Sequence, residues 1–384
     1  MRAKEGNPLL ELARAGQSIW LDYLGRDLIV SGELKRLIAE AGLTGVTSNP
    51  TIFQKAISGS KAYENSMEDM LSRNISDTKE LFLGYAMEDV HAASNLLMPV
   101  YEASGGQDGF VSIEVSPDLA YDTEATIKEA RRLFSQLGRK NVLVKVPGTR
   151  QGLPAIEQLI SEGVNVNVTL LFSVERYKEV MDAYMKGLER RIAAGSPVNE
   201  VFSVASFFVS RIDTMVDNML EELYEESDVN AKELLKGFFG RAAAASAKLA
   251  YRQYRDTFSA PGFQALRAKG ARAQKILWAS TSTKNPAYSD VKYVEELVAP
   301  DSINTMPENT LKAFRDHGKV RVTIGDYVEE AETLFADLRD SGIDIDSVTA
   351  ELESEGVRLF SESFFSLLDA IAQQRDDFLV KRAH

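Results

Sequence analysis

The chain has 384 residues, 44% of them hydrophobic and 26% charged, the balance of a globular protein with a large core, which excludes disordered and fibrous classes. Lys and Arg number 44 against 57 Asp and Glu, a net charge of −13; the molecule as a whole repels a nucleic-acid backbone or an anionic membrane, so any phosphate it binds must meet a local positive pocket. Cysteine is absent and only His91, His317 and His384 represent histidine, which removes disulfides, thiolate metal sites and Cys nucleophiles and leaves no metal-ligand spacing.

The opening MRAKEGNPLLELARAG has no apolar signal core, and no later run approaches a membrane span, so a cytoplasmic location is expected. Short β-rich runs then alternate with longer amphipathic ones, the pattern of βα units on a parallel sheet. The expected strands are SIWLDYL from Ser18, GVTSN from Gly45, FVSIEV from Phe110, VLVKVP from Val142, VNVTLLF from Val166, VFSVASFF from Val201, KILWAST from Lys275 and SINTMP from Ser302. Between them, Asp122 and Thr123 open a helix with apolar positions Ile127, Ala130, Leu133, Phe134 and Leu137 that stops at Gly138; Ser173 opens another, closed by Gly195, each with a capping residue at its start and glycine past its end. From Asp326 the chain reads as helical, with Val357, Phe360, Phe364, Leu367, Leu368 and Ile371 forming an apolar stripe able to pack on the barrel and cover its mouth. No linker, repeat or low-complexity tract divides the chain. The expectation is α/β, one (β/α)8 TIM barrel domain over residues 1–384 with a helical C-terminal extension from about 326.

Polar residues gather at the strand ends: Asp22, Asn49, Glu114, Lys145, Asn167 with Thr169, and Ser206. Inward side chains of a barrel strand sit among apolar layers, where a Lys, an Asp and a Glu are costly unless they support one another. A buried ion cluster that only fixes the fold is one reading; six strands contributing together favour a site at the C-terminal rim, where such barrels carry their chemistry. The lysine in NVLVKVPGTRQG (141–152) sets the class of chemistry. A desolvated free amine attacks a carbonyl to form a Schiff base, and the protonated imine accepts the electrons of a breaking carbon–carbon bond without a cofactor. Two carboxylates at different rim positions would divide the proton transfers.

At these residues the chain resembles the transaldolase family. GVTSNPTIF at Gly45 is similar to its TSNP loop, VSIEVSP carries its strand-three glutamate as Glu114, and LVKVPGTRQG its lysine motif; VNVTLLFS provides Asn167 and Thr169, and SFFVSRID provides Ser206, Phe208 and Arg211. The resemblance implies a ping-pong transfer of a dihydroxyacetone unit from fructose 6-phosphate or sedoheptulose 7-phosphate to an aldose phosphate, as in the pentose phosphate pathway, with no cofactor. It implies Lys145 as Schiff-base residue and Asp22 as acceptor of the donor C4 hydroxyl proton. Glu114 would act with Thr169 through a water in imine formation and hydrolysis, and Asn49, Asn167 and Ser206 would hold hydroxyls of the three-carbon unit. Arg211 would bind the phosphate. After the seventh strand the chain reads ASTSTKNP where relatives have Ser-x-Arg-Asn, placing Ser282 and Lys284 at the aligned positions, with Ser280 as the alternative hydroxyl contact. The expected partners are small sugar phosphates, with no nucleic acid and no membrane, on a monomer or homodimer.

Other signals carry less. Ser58-Gly-Ser-Lys61 matches S-x-x-K without the partner motifs of that chemistry, and the glycine-rich 104–109 segment precedes a strand instead of opening a helix. Trp20 and Trp278 read as packing residues. Two other functions are weighed against transfer: a lysine-dependent sugar-phosphate aldolase that releases the three-carbon unit to water, and a non-catalytic phosphosugar-binding barrel. Phe208, where a hydrophilic residue would help release the intermediate, favours transfer, and a binder has no need of a buried amine beside two carboxylates.

Overall fold

The computed structural model describes residues 6–383. Its strands are β1 (Gln17–Leu21), β2 (Gly45–Val46), β3 (Phe110–Glu114), β4 (Val142–Pro147), β5 (Val166–Leu171), β6 (Ser203–Phe208), β7 (Lys275–Ala279) and β8 (Ser302–Met306). They pair in chain order, all parallel, and the pairing of β8 with β1 closes the barrel. This is the expected (β/α)8 architecture. Strands β3 to β6 are buried along their whole length, as a sheet covered by helices outside and filled by side chains inside requires. The second strand is shorter than GVTSN suggests: only Gly45 and Val46 pair. Gly45 is fixed by packing, since a Cβ there would lie 2.5 Å from the indole of Trp20.

The helices start and stop where the capping residues indicate. Asp122 accepts from the Ala125 amide at the start of helix Thr123–Leu137, and Gly138 ends it at φ 57°. Ser173 accepts from the Arg176 amide at the start of helix Val174–Ala193. The turn after β4 is equally specified. Thr149 donates to Ala120 O at 2.6 Å and accepts from the Gly152 amide at 3.0 Å. A Cβ on Gly152 would meet Pro147 O at 1.9 Å, so the helix that follows the lysine strand can begin this close only with glycine.

Aromatic rings fill the N-terminal end of the barrel: Phe110 stacks on Phe202 at 4.2 Å between centroids, with Tyr101 edge-on to Phe110 at 5.4 Å. Trp20 and Trp278 are fully buried, and Trp20 donates to Asp108 at 2.9 Å. The opposite end receives the long C-terminal helix Ile345–Ala383. Val357, Phe360, Phe364, Leu367 and Ile371 of its stripe are buried, each burial contributing about 1.5–3 kcal/mol, while Leu368 is only partly covered. This helix lies on helix Pro50–Ile57, joined by Thr51 and Ser363 hydroxyls 2.9 Å apart and by Gln54 Nε2 donating to Ser366 Oγ at 2.8 Å. None of the described helices is long and apolar enough to cross a membrane.

Candidate active site

A cavity of about 600 Å³ opens at the C-terminal end of the strands, and Asp22, Asn49, Lys145, Ser206, Phe208, Arg211, Ser282 and Lys284 all line it. Glu114, Asn167 and Thr169 do not line it; the strand register sets the first two beside Lys145. Glu114 pairs with Lys145, and Lys145 with Asn167, so three polar residues occupy one inward row across β3, β4 and β5. Lys145 is the fourth residue of its six-residue strand rather than its last, which sinks the amine below the rim. Its ammonium donates to Ser48 O at 3.0 Å and lies 3.2 Å from Glu114 Oε2, with both side chains about 5% exposed. Neither Glu114 oxygen accepts a well-aligned hydrogen bond among the described residues, and the same holds for the buried hydroxyl of Thr169, two residues beyond Asn167 on the same face. Burial raises the Glu114 carboxyl above the usual carboxylate range, against the pull of the Lys145 charge.

Asp22 follows β1 directly, its amide donating to Met306 O at 2.8 Å. Thr47 donates to Asp22 Oδ1 at 2.8 Å, and the hydroxyls of Thr47 and Thr305 are 2.8 Å apart; since Thr47 has one proton, Thr305 donates to it and the pair forms a chain ending on the carboxylate. Burial raises the Asp22 carboxyl too, opposed by Lys145, by the Thr47 hydrogen bond and by Lys284. Two acids with raised affinity for protons, Glu114 buried and Asp22 partly buried, flank one amine and are equipped to take and return protons.

The amides are held in fixed orientations. Asn167 donates to Ser112 Oγ at 3.0 Å and accepts from Ser206 Oγ at 2.7 Å. Asn49 lies beyond the end of β2, as the cap of helix Pro50–Ile57, where its Oδ1 accepts from the Ile52 amide at 2.9 Å; its Nδ2 is the end left to face a ligand. Just after Thr169, Leu170 takes φ 60° at a break in the β5–β6 register, and Ser280 after β7 takes φ 56°. Such conformations cost a non-glycine residue on the order of 1–3 kcal/mol.

The wide end of the cavity is cationic. Arg211 is the second residue of helix Ser210–Glu226, one turn past the strand end that the sequence pattern indicates. Its Nη1 is buried without a hydrogen-bond partner among the described residues. Lys284 donates to Ser282 Oγ at 2.7 Å, and Ser280 also faces the cavity. Burial, then repulsion from Arg211 and Lys55, lowers the Lys284 ammonium below the usual lysine range. Lys55 is a third cation on the cavity wall that motif reading misses, because the TSNPTIF stretch ends before it. The available signal was helical spacing, which puts Lys55 one turn after Thr51 on the same face of helix Pro50–Ile57. Three like charges so placed favour a bound anion.

Two further carboxylates, also missed, fix this end. Asp217 accepts from the Gly240 amide at 2.8 Å and from the Tyr288 hydroxyl at 2.7 Å. Asp213, one turn earlier, accepts from the Ala243 amide at 2.7 Å and from the Tyr293 hydroxyl at 2.9 Å. They thereby anchor the segment after β7 that carries Ser282 and Lys284. Burial raises Asp213 to about 6 from 3.8, with Lys292 opposing. A raised carboxyl binds a proton more tightly folded than unfolded, so its contribution to stability is full below about pH 4 and is lost as pH rises through about 6. Relative to Asp213→Asn, the wild type should therefore lose on the order of 3 kcal/mol of unfolding free energy across that window and no more above it. Parallel denaturation profiles of the two proteins between pH 4 and 7 would show instead that Asp213 titrates as an ordinary carboxylate.

A buried lysine flanked by two acids on a closed parallel barrel, below a cluster of cations, is the arrangement that a Schiff-base enzyme of phosphorylated carbonyl compounds requires. Comparison with known proteins narrows the class. The profile of the family described as Transaldolase/Fructose-6-phosphate aldolase matches residues 19–371. Among curated proteins, the chain is 48% identical over 368 residues to Transaldolase of Acidothermus cellulolyticus, covering 96% of each chain. It is 46% identical over 369 residues to Transaldolase 2 of a Nostoc species, covering 95% of this chain and 97% of that one. With Transaldolase of Thiobacillus denitrificans the identity is 46% over 361 residues, 94% of this chain and 98% of that one. The chain belongs to the transaldolase/fructose-6-phosphate aldolase family.

Proposed function

We propose that this chain is a transaldolase whose reaction runs through Lys145, on one domain spanning the barrel and its C-terminal helix. The observation that carries the mechanism is the buried contact of Lys145 with Glu114 in a single row below the cation cluster. The unprotonated amine adds to the C2 carbonyl of a ketose phosphate, and loss of water gives the iminium. As the C3–C4 bond breaks, its electron pair passes to the iminium, leaving an enamine, and Asp22 takes the C4 hydroxyl proton; the aldose phosphate departs. The enamine carbon then attacks the aldehyde of a second aldose phosphate, Asp22 returns its proton, and water releases the new ketose. Glu114, with the Thr169 hydroxyl, handles the protons of water addition and loss. Asn49, Asn167 and Ser206 hold the hydroxyls of the three-carbon unit, the last two already oriented by their mutual hydrogen bond.

The substrates this implies are sedoheptulose 7-phosphate or fructose 6-phosphate as donor, with erythrose 4-phosphate or glyceraldehyde 3-phosphate as acceptor, and the setting is the cytoplasmic pentose phosphate pathway. Release of the three-carbon unit to water, as in an aldolase, is the second reading within the family. Phe208, an apolar ring on the cavity wall, supports transfer, because it offers no proton to the enamine.

Arg211, Lys284, Lys55 and Ser282 take the phosphate. Replacing Arg211 by Ala should raise KM for fructose 6-phosphate about 10- to 100-fold, the worth of a charge-assisted hydrogen bond, while KM for unphosphorylated fructose as donor hardly moves; Lys284→Ala should act in the same sense more weakly, being a half-solvated point charge. Equal losses on both donors would mean that these residues support the fold and not the phosphate.

A further inference from the structure

We propose that Phe360, on the C-terminal helix, is a positioning residue for the anion-binding guanidinium of Arg211, a role that rests on the phosphate end assigned above. The guanidinium carbon lies 5.6 Å from the ring centroid of Phe208 and 6.0 Å from that of Phe360. One ring comes from β6, the other from a helix more than 130 residues later in the chain, and both rings line the cavity. Arg211 is thus within cation–π reach of two aromatic faces.

The arrangement has a chemical logic. An arginine side chain carries about 2 kcal/mol of rotamer freedom that ligand binding must remove unless the protein has removed it already. The usual clamp is a carboxylate, which would occupy the N–H donors and compete with the phosphate. Aromatic faces hold the cation through their negative quadrupole and leave the in-plane donors free. Accordingly Nη1 is buried yet without a hydrogen-bond partner among the described residues. Glu355, on the same helix as Phe360, acts on the guanidinium only through space.

The position of Phe360 is set independently of Arg211. The helix is tied to Thr51 and Gln54 through Ser363 and Ser366, and Phe364, one turn on, meets Phe82 edge-to-face at 5.6 Å. Phe360 itself is 3% exposed. Its ring is therefore presented to Arg211 by contacts that a ligand does not need to make.

The test uses steady-state kinetics of the wild type, Phe360→Leu, Phe360→Tyr, Arg211→Ala and the double variant Arg211→Ala/Phe360→Leu, with fructose 6-phosphate and with unphosphorylated fructose as donors. Leucine retains most of the buried volume but has no π face. Phe360→Leu should raise KM for fructose 6-phosphate by roughly tenfold with kcat little changed and KM for unphosphorylated fructose unaltered. Phe360→Tyr should restore wild-type KM, and the double variant should be no worse than Arg211→Ala, since a ring with no guanidinium to hold has nothing to contribute. Wild-type behaviour of Phe360→Leu overturns the proposal, and so do equal losses on both donors or losses that multiply in the double variant. If Arg211→Ala itself fails to distinguish the donors, the fault lies in the phosphate assignment, and the role of Phe360 falls with it.

Discussion

Borohydride reduction in the presence of fructose 6-phosphate should fix a carbon adduct on the peptide containing Lys145, and Lys145→Met should yield none while losing at least about 10⁴-fold in transfer rate. Methionine keeps the length and apolar stem of the side chain, so the core of the barrel need not collapse. What changes is the row across β3 to β5: Glu114, 7% exposed, loses the only charge that opposes its burial directly, and its carboxyl is left to take up a proton. The variant should therefore fold, and its circular dichroism should match that of the wild type. Adduct recovered from Lys145→Met in wild-type yield would show that another amine is the nucleophile; Lys284, the other lysine facing the cavity from the strand ends, would be the first to examine.

The two carboxylates should fail differently. Asp22→Ala should still form the imine but be unable to accept the C4 hydroxyl proton, so the C3–C4 bond stays intact and the enzyme stalls with the whole sugar attached. Reduction should then trap a full-length sugar phosphate on Lys145, where the wild type gives chiefly the three-carbon adduct, and kcat should fall about 10²- to 10⁴-fold. The threonine pair behind Asp22 strengthens this expectation, because Thr47 donates to Asp22 Oδ1 and leaves Oδ2 for the substrate. Glu114→Ala should accumulate little of either adduct, since the water-dependent proton steps that build the imine are themselves slowed. Mass spectrometry of the trapped protein separates the cases, and abundant three-carbon adduct in Asp22→Ala would reject the role given to that residue.

The floor of the candidate site was legible in the sequence because it obeys local rules. A lysine inside VLVKVP contradicts its apolar neighbours, and the period of two along each strand carries Asn167 and Thr169 to one face. Where recognition depends on where the chain turns, sequence reading slipped by a few residues: Asn49 caps a helix instead of ending a strand, and Arg211 sits inside the next helix. Residues that join the site only through the tertiary fold were not legible. Thr305 reaches Thr47 across 258 positions, Asp213 reaches Tyr293 across 80, and nothing within either segment marks the other. Phe360 was recognised only as part of an apolar stripe, because spacing shows that a face is buried but not what it is buried against.

The path of the C-terminal helix also sets an order of assembly during synthesis. The barrel closes through β1 and β8, whose register partners Gln17 and Ser302 are 285 residues apart in the chain, so no nascent chain can complete the ring before residue 306 has emerged. Asp22, Glu114 and Lys145 are then all present. Phe360 and the ties from Ser363 and Ser366 to helix Pro50–Ile57 come later still. On the assignments proposed above, a translating chain thus acquires the amine of Lys145 before it acquires the finished seat for a phosphate, and a sugar phosphate would meet a fully gripping site only after the last helix has docked.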